Sequence, residues 1–374
     1  DGIQKKGYKI YSKSFFDTVT IHTNEKTNEI PLLLNQNQLL NRGWHERQAG
    51  LSRCGCALCR SIGGGGNDTG GPNPAQNNDP NSPVLSVTTF PGTSVTGSGN
   101  TWSGISSGPY IQGLIHTRKW GTGDPDTVTS TNLKYYLYDN ESLNFNYATN
   151  RTTNPFDGQA ITTAEKGAIT STMDAFASVS GLTFTETSTK SEANLAWALL
   201  NSTDSNQIVN GLLGVARFPG TDSNPDYGGG GGSAVIVNKS YLTSTARTTP
   251  GSYYYLTFTH ELGHAIGLKH PHDSGGSNQP LFPGVTSSSN GGDNNLNATP
   301  WTVMTYNDAT ATNELSPRNN GAGYLTNIGA FDIAAIQYLY GPNNSTQSGN
   351  STYSLSNSAN GFTTIWDAGG TDEI

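Results

Sequence analysis

A chain of 374 residues with 33% apolar residues, 46 glycines and a formal net charge of −8 is long enough for one large or two medium domains. Its abundance of glycine and small polar residues points to short strands and long loops rather than a helical bundle. A mild acidic excess without a basic run argues against nucleic acid or an anionic membrane as partner, and no apolar stretch approaches the ~20 residues of a membrane-spanning helix.

The chain opens with DGIQKKGYKIYSKSFF, so any secretion signal has been removed, is not N-terminal or lies outside this sequence. Residues 1–62 have their own character: lysine-rich, then apolar and amide-rich in IPLLLNQNQLLNRGW, then a cluster of cysteines. Cys54, Cys56 and Cys59 are the only three in the chain. They suit a disulfide with one thiol left over, a metal site of their own with His45 as the nearest fourth ligand, or a device that acts elsewhere in the chain. Residues 63–83, GGGGNDTGGPNPAQNNDPNSP, have almost nothing to bury and are expected to form an exposed, easily cleaved linker.

From about residue 84 the composition is that of a globular domain. LKYYLYDN puts Leu133, Tyr135 and Leu137 on one face of a strand, the period-2 signature. TTAEKGAITSTMDAFASVSG predicts a helix that starts at a Thr162–Glu165 capping box, carries Ile169, Met173 and Phe176 at helical spacing and stops at Gly181. Strands are predicted at LTFTET, ANLAWALL, LLGVARF and SAVIVN, a second helix at YYYLTFTHELGHAIGLKH, and a last one at NIGAFDIAAIQYLYG, ending at Gly341. This order describes an α+β domain, a twisted sheet backed by helices.

HELGHAIGLKH fits H-E-x-x-H-x-x-G-x-x-H at every fixed position. On a helix, His260 and His264 stand one turn apart on one stripe, and Phe258, Leu262, Ala265 and Ile266 lie on the opposite stripe to bury it. Gly263 and Gly267 leave the histidine side uncrowded. Gly267 lets the chain leave the helix in a left-handed conformation and swing His270 in as third ligand. Three neutral imidazoles without a thiolate suit a catalytic Zn2+ whose fourth position is left to water. Glu261 follows the first ligand and is placed to act as general base on that water, then to protonate the leaving amine. His272 reads as a surface-loop histidine, and His22, His45 and His116 carry no partner signal.

The motif resembles that of the metzincin metalloproteases, whose second mark is a methionine turn beneath the zinc. WTVMTYND supplies Met304 for that turn and Tyr306 two places on, which in the serralysin branch is an additional zinc ligand or an oxyanion stabiliser. TFTHELGHAIGLKHP, VMTY and FDIAAIQYLYG together are similar to serralysin-type proteases over residues 105–374. The resemblance implies a metzincin-type catalytic domain over 84–341, divided by the His260–His264 helix into an upper sheet and a lower irregular part. An extended protein or peptide substrate would pair with an edge strand between them, which is expected in GGGGGSAVIVNKS, residues 228–240.

By the same resemblance, WDAGGTD opens a calcium-binding β-roll over 342–374, with Asp367, Asp372 and the carbonyls of Gly369 and Gly370 as Ca2+ ligands. Asn350 stands where the family often has an aspartate, which removes a charge. In the N-terminal segment, Arg53-Cys54-Gly55 resembles the cysteine switch of matrixin propeptides, although neither proline of that pattern is present. Cys54 would then be a thiolate on the catalytic zinc. Residues 1–62 would be an inhibitory propeptide acting within the same chain, with activation by cleavage near the 63–83 linker. The expectation is a secreted, extracellular, monomeric zinc endopeptidase in proenzyme form, without nucleic-acid or membrane partners. The alternatives are a catalytically silent metzincin-fold binding or adhesion module, and a calcium-dependent structural segment of a larger secreted protein, which the zinc motif does not explain.

Overall fold

The computed structural model describes residues 87–89, 108–121, 130–143, 156–201, 213–220, 232–241, 248–274, 279–308, 323–354 and 361–373. The readings of Cys54, Cys56 and Cys59, of the 63–83 linker, and of His22 and His45 lie outside these residues. In chain order the described elements are β1 (Val87–Thr89), α1 (Pro109–Gln112), β2 (Arg118–Trp120), β3 (Thr131–Tyr138), β4 (Ser142–Leu143) and β5 (Phe156–Asp157). They continue with α2 (Thr163–Ala177), β6 (Leu182–Glu186), β7 (Leu195–Leu200), β8 (Gly214–Ala216), β9 (Ser233–Asn238) and α3 (Tyr253–Ala265). The last are β10 (Tyr324–Leu325), α4 (Ala330–Tyr340) and β11 (Gly361–Phe362).

The main sheet has the order β6-β3-β7-β9-β8. Its first four strands run parallel, and β8 pairs antiparallel with β9, Val215 opposite Ile236. β7 and β9, LAWALL and SAVIVN, are buried along their whole length, the mark of a sheet covered on both faces. Ala196, Ala198 and Leu200 pack with Tyr138, Val215 and Ile236 in one cluster. Alternation sends Trp197 to the other face, where it stacks on Phe258 of α3 at 6.2 Å. That contact seats the helix beneath the sheet.

Helix α2 begins as its sequence requires. The Thr162 hydroxyl accepts from Glu165 N–H, and the Glu165 carboxylate accepts from Thr162 N–H, a pair worth about 1 kcal/mol. The helix ends at Ala177, not at Gly181: Ser178 caps it, and Gly181 instead leads the chain into β6. Strand β3 buries Leu133, Tyr135 and Leu137, and α4 ends at Gly341, whose φ is +75°.

The described residues fall into two compact units. The elements above belong to one. In the other, residues 344–354 and 365–373 run alongside each other: Tyr353 N donates to Glu373 O at 2.7 Å and Glu373 N to Ser351 O at 2.9 Å. Among the described residues no helix is long and apolar enough to cross a membrane.

Candidate metal centre

Ser252 opens α3 by accepting from Tyr255 N at 3.0 Å, and the helix carries His260, Glu261 and His264 with every residue from Tyr255 to Ala265 buried. It closes in a glycine cap of the Schellman type. Gly267 has φ +108°, its N–H donates to His264 O at 3.0 Å, and Leu268 N–H donates to Gly263 O at 2.8 Å. A side chain at Gly267 would also press on the Arg118 carbonyl, 2.7 Å from its Cβ. The last carbonyls find partners too: Ala265 O accepts from Trp120 Nε1 and Ile266 O from the Tyr340 hydroxyl, each at 2.8 Å.

Beyond Gly267 the chain pairs with residues 114–116. His116 N donates to Gly267 O at 2.8 Å and Lys269 N to Leu114 O at 2.7 Å. The fully buried Lys269 ammonium donates to Gly113 O at 2.7 Å and Pro280 O at 2.8 Å. Burial, opposed in part by nearby Asp273, brings its pKa down to about 7. This frame delivers His270 to the helical pair.

The three imidazoles converge. His270 Nε2 lies 3.1 Å from His260 Nε2 and 3.0 Å from His264 Nε2. Two of the rings are oriented from behind by backbone carbonyls, as ligand histidines often are, and the third has a carboxylate nearby. His260 Nδ1 meets Val303 O at 2.7 Å, His264 Nδ1 meets Leu268 O at 2.8 Å, and His270 Nδ1 lies 3.9 Å from the buried Asp273 carboxylate. A carbonyl at Nδ1 requires the proton there, so His260 and His264 turn lone pairs inward. One imidazole proton on His270 cannot satisfy both at once. A cation satisfies all three, and the nitrogen-only donor set fits zinc. Burial first, then the neighbouring rings, pushes the His264 pKa well below the ordinary histidine value, so the ring is neutral and ready to ligate.

Glu261 is fully buried, with β8 directly over it. A Cβ built on Gly214 falls 2.7 Å from Glu261 Oε1. Met304 is also fully buried, and a Cβ on Gly263 would fall 2.6 Å from its sulfur. Gly263 therefore makes room for the methionine turn rather than simply leaving the histidine side open. The half-buried Tyr306 ring lies 4.8 Å from His270 and 6.0 Å from His260, centroid to centroid.

Three expectations are corrected. His272 is not a surface residue: it is 7% exposed and stacks on His270. The HPHD stretch is a turn folded inward against the site, not a solvated loop. His116 is not a bystander, because it is buried and stacks at 3.8 Å on Phe218, which meets His264 edge-on at 5.5 Å. Burial holds both rings neutral, with pKa values down to about 3. The described part of 228–240 does not supply the substrate-side edge, since β9 there lies inside the sheet between β7 and β8. Among the described residues, β8 is the edge beside Glu261.

Other residues of the site had no motif to announce them. Asp332, buried at the start of α4, accepts from the Thr302 hydroxyl at 2.6 Å, Val303 N at 2.7 Å and Gly329 N at 2.8 Å. It thereby fixes the turn whose Val303 carbonyl orients His260. The one sign in the sequence was an acidic residue three places after a glycine N-cap.

In the second unit, Asp367 Oδ1 accepts from Gly369 N at 2.9 Å, its Oδ2 accepts from the Tyr353 hydroxyl, and Asp372 Oδ1 accepts from Ser351 N at 2.9 Å. Gly370 has φ +124°. Among the described residues, only His260, His264 and His270 form a metal-holding cluster of three or more His, Cys, Asp or Glu side chains.

The sequence pattern of metallo-peptidase family M12 matches residues 127–316, half of the chain. The chain belongs to that family, as a serralysin-type metzincin. It is 29% identical to the metalloprotease AprA of Pseudomonas entomophila over 221 residues, covering 56% of this chain and 42% of that protein. It is 30% identical to serralysin B of Dickeya chrysanthemi over 212 residues, 54% and 40% of the two chains. With the serralysin of Photorhabdus laumondii the identity is 26% over 266 residues, 68% and 50%. The chain thus spans about half or less of the length of these relatives.

Proposed function

We propose that the chain is a secreted zinc endopeptidase held latent by its own N-terminal segment. The observation that carries this reading is the convergence of three buried imidazole Nε2 atoms on the helix and loop that flank a buried Glu261. His260, His264 and His270 would hold zinc, which would supply a Lewis acid for the scissile carbonyl and for an attacking water. Glu261 is placed to take a proton from a water attacking the carbonyl carbon and to give it to the amine nitrogen as the C–N bond breaks. The Tyr306 hydroxyl would serve as a further ligand to that metal or as a donor to the carbonyl oxygen as negative charge gathers there. An extended peptide adds to the outer edge of β8, where Gly214 keeps the backbone close to Glu261.

In this reading, residues 1–62 are the propeptide, with Cys54 as the fourth zinc ligand until cleavage in the 63–83 linker removes it. Residues 84–341 are the catalytic domain. Residues 342–374 begin a β-roll in which Asp367, Asp372 and the Gly369 and Gly370 carbonyls hold Ca2+. The relatives named serralysin and metalloprotease support protein substrates.

The test is peptide hydrolysis with zinc and calcium present, comparing the full chain, Cys54→Ala, a form starting near Pro83, and that form carrying Glu261→Gln. A silent full chain with the first two variants active establishes a proenzyme locked by the thiol. Activity in the shortened form alone moves the lock away from Cys54. Glu261→Gln is expected to lose about 10²–10⁴-fold while still binding one zinc. If every form is inert with zinc bound, the enzyme reading fails and the silent binding module replaces it.

A further inference from the structure

The zinc motif ends at His270, yet the next two residues remain in the site. Residues 270–273 form a turn in which Asp273 N donates back to His270 O at 3.1 Å. Proline in the second position suits that turn, because its ring fixes φ in advance. The Pro271 carbonyl accepts from Phe282 N at 2.9 Å, which ties the turn to another part of the chain. Its first and third side chains then meet face to face: the His270 and His272 rings lie 5.0 Å apart with their planes 17° from parallel. Tyr306 packs on both imidazoles, 4.8 Å from each, at 61° to His270 and 55° to His272.

Among the described residues, His272 makes no hydrogen bond that would explain its burial. Its Nδ1 is enclosed and has no hydrogen-bond partner among the described residues. A ring that brings a polar atom inside and leaves it unsatisfied is there at a cost to stability. Its ring stacks on a metal-site histidine and packs at a tilt against the tyrosine beside it, so its contribution is a flat, rigid wall at that corner.

We propose that His272 is a positioning residue of the metal centre, setting where the Tyr306 ring rests beside His270 and so how its hydroxyl meets the metal. The proposal rests on the reading of Tyr306 as a metal ligand. Without the His272 ring, the half-buried tyrosine faces a void on one side, and its side chain spreads over other rotamers. Misplacement by about 1 Å at a reacting centre is enough for a 10²-fold loss. Because the wall acts by shape, a phenylalanine at this position is expected to replace it.

The test uses the full chain with all three cysteines changed to alanine, so that no thiolate absorbs, loaded with Cu2+ in place of zinc. A phenolate bound to copper gives a charge-transfer band in the visible, and Tyr306→Phe is expected to abolish it. His272→Ala and His272→Leu, the latter of similar bulk but not flat, are expected to lose more than half of the band at unchanged copper content. His272→Phe is expected to keep it. With zinc, in the form starting near Pro83, His272→Ala should lower kcat at least tenfold with KM nearly unchanged, and His272→Phe should recover most of the loss. A full band in both His272→Ala and His272→Leu overturns the positioning role while leaving Tyr306 a ligand. If the unsubstituted site and Tyr306→Phe give the same spectrum, Tyr306 is not a ligand and both readings fall together. Should His272→Ala not fold, the leucine and phenylalanine variants decide the matter alone.

Discussion

Gly214 has no side chain, and the space a side chain would fill belongs to Glu261. The Cβ of an alanine there would lie 2.7 Å from Oε1 and 2.9 Å from Cδ, closer than van der Waals contact allows, so either β8 or the carboxylate must move. The carboxylate is the softer of the two, because β8 is held in register to β9 from Gly214 to Ala216. Gly214→Ala is therefore expected to lower kcat by about 10²-fold in the form starting near Pro83 while leaving zinc content unchanged. Steady-state kinetics beside metal analysis checks it. A loss of zinc together with activity would place the damage in the helix rather than at Glu261. The glycine stood in view in LLGVARF, but its role depends on a helix forty residues further on. Pattern reading has no means of supplying that contact.

At the scale of elements, α4 reaches the metal centre without touching it. Asp332 ties the turn at Thr302 and Val303 to the start of α4, and Val303 in turn orients His260. Burial pushes the Asp332 carboxyl up to about 7, against the three hydrogen bonds that favour its charge. A carboxyl whose pKa is higher folded than unfolded stabilises the fold fully below the ordinary carboxylate pKa, and that contribution is lost as pH rises through about 7. The thermal midpoint of the native chain should therefore fall between pH 5 and 8. Asp332→Asn, which cannot titrate, should show a flatter profile over the same range. Equal slopes would show that Asp332 is charged throughout. The elements themselves were largely legible: the period-2 strand β3, the apolar runs of β7 and β9, the capping box of α2 and the glycine end of α4 all form where their residues predict. Strand order was not. Nothing local in SAVIVN says that it lies inside the sheet, because the neighbour on its outer side, β8, comes earlier in the chain and turns antiparallel.

For the molecule as a whole, the metal is expected to act as a structural tie as well as a chemical group. Any ligand that binds only the folded chain adds RT ln(1 + [L]/Kd) to stability, about 4 kcal/mol at a thousandfold excess over Kd. Removing zinc with a chelator should lower the thermal midpoint by several degrees, and adding zinc should restore it. His264→Ala should abolish that shift, whereas Glu261→Gln should keep it; calorimetry with and without chelator separates the two. The three-histidine cluster could be read from spacing alone, since H-E-x-x-H-x-x-G-x-x-H encodes one helical turn and a glycine exit. The inward place of His272 could not, because HPHD has the polar, proline-containing look of an exposed turn, and its cover comes from residues outside it: Phe282, which holds the Pro271 carbonyl, and Tyr306, which packs on the ring.

The third histidine stands outside the helix that carries the other two. It arrives only because residues 113–116 receive the chain after Gly267 and Lys269 pins it to Gly113 and Pro280. A newly made chain that has formed α3 alone offers a metal two nitrogens, a weak and reversible grip. Full affinity appears when segments some 150 positions apart have met, a separation seen in the Lys269–Gly113 bond. Metal capture is therefore expected to follow assembly, with partly folded chains letting the ion go and complete ones keeping it.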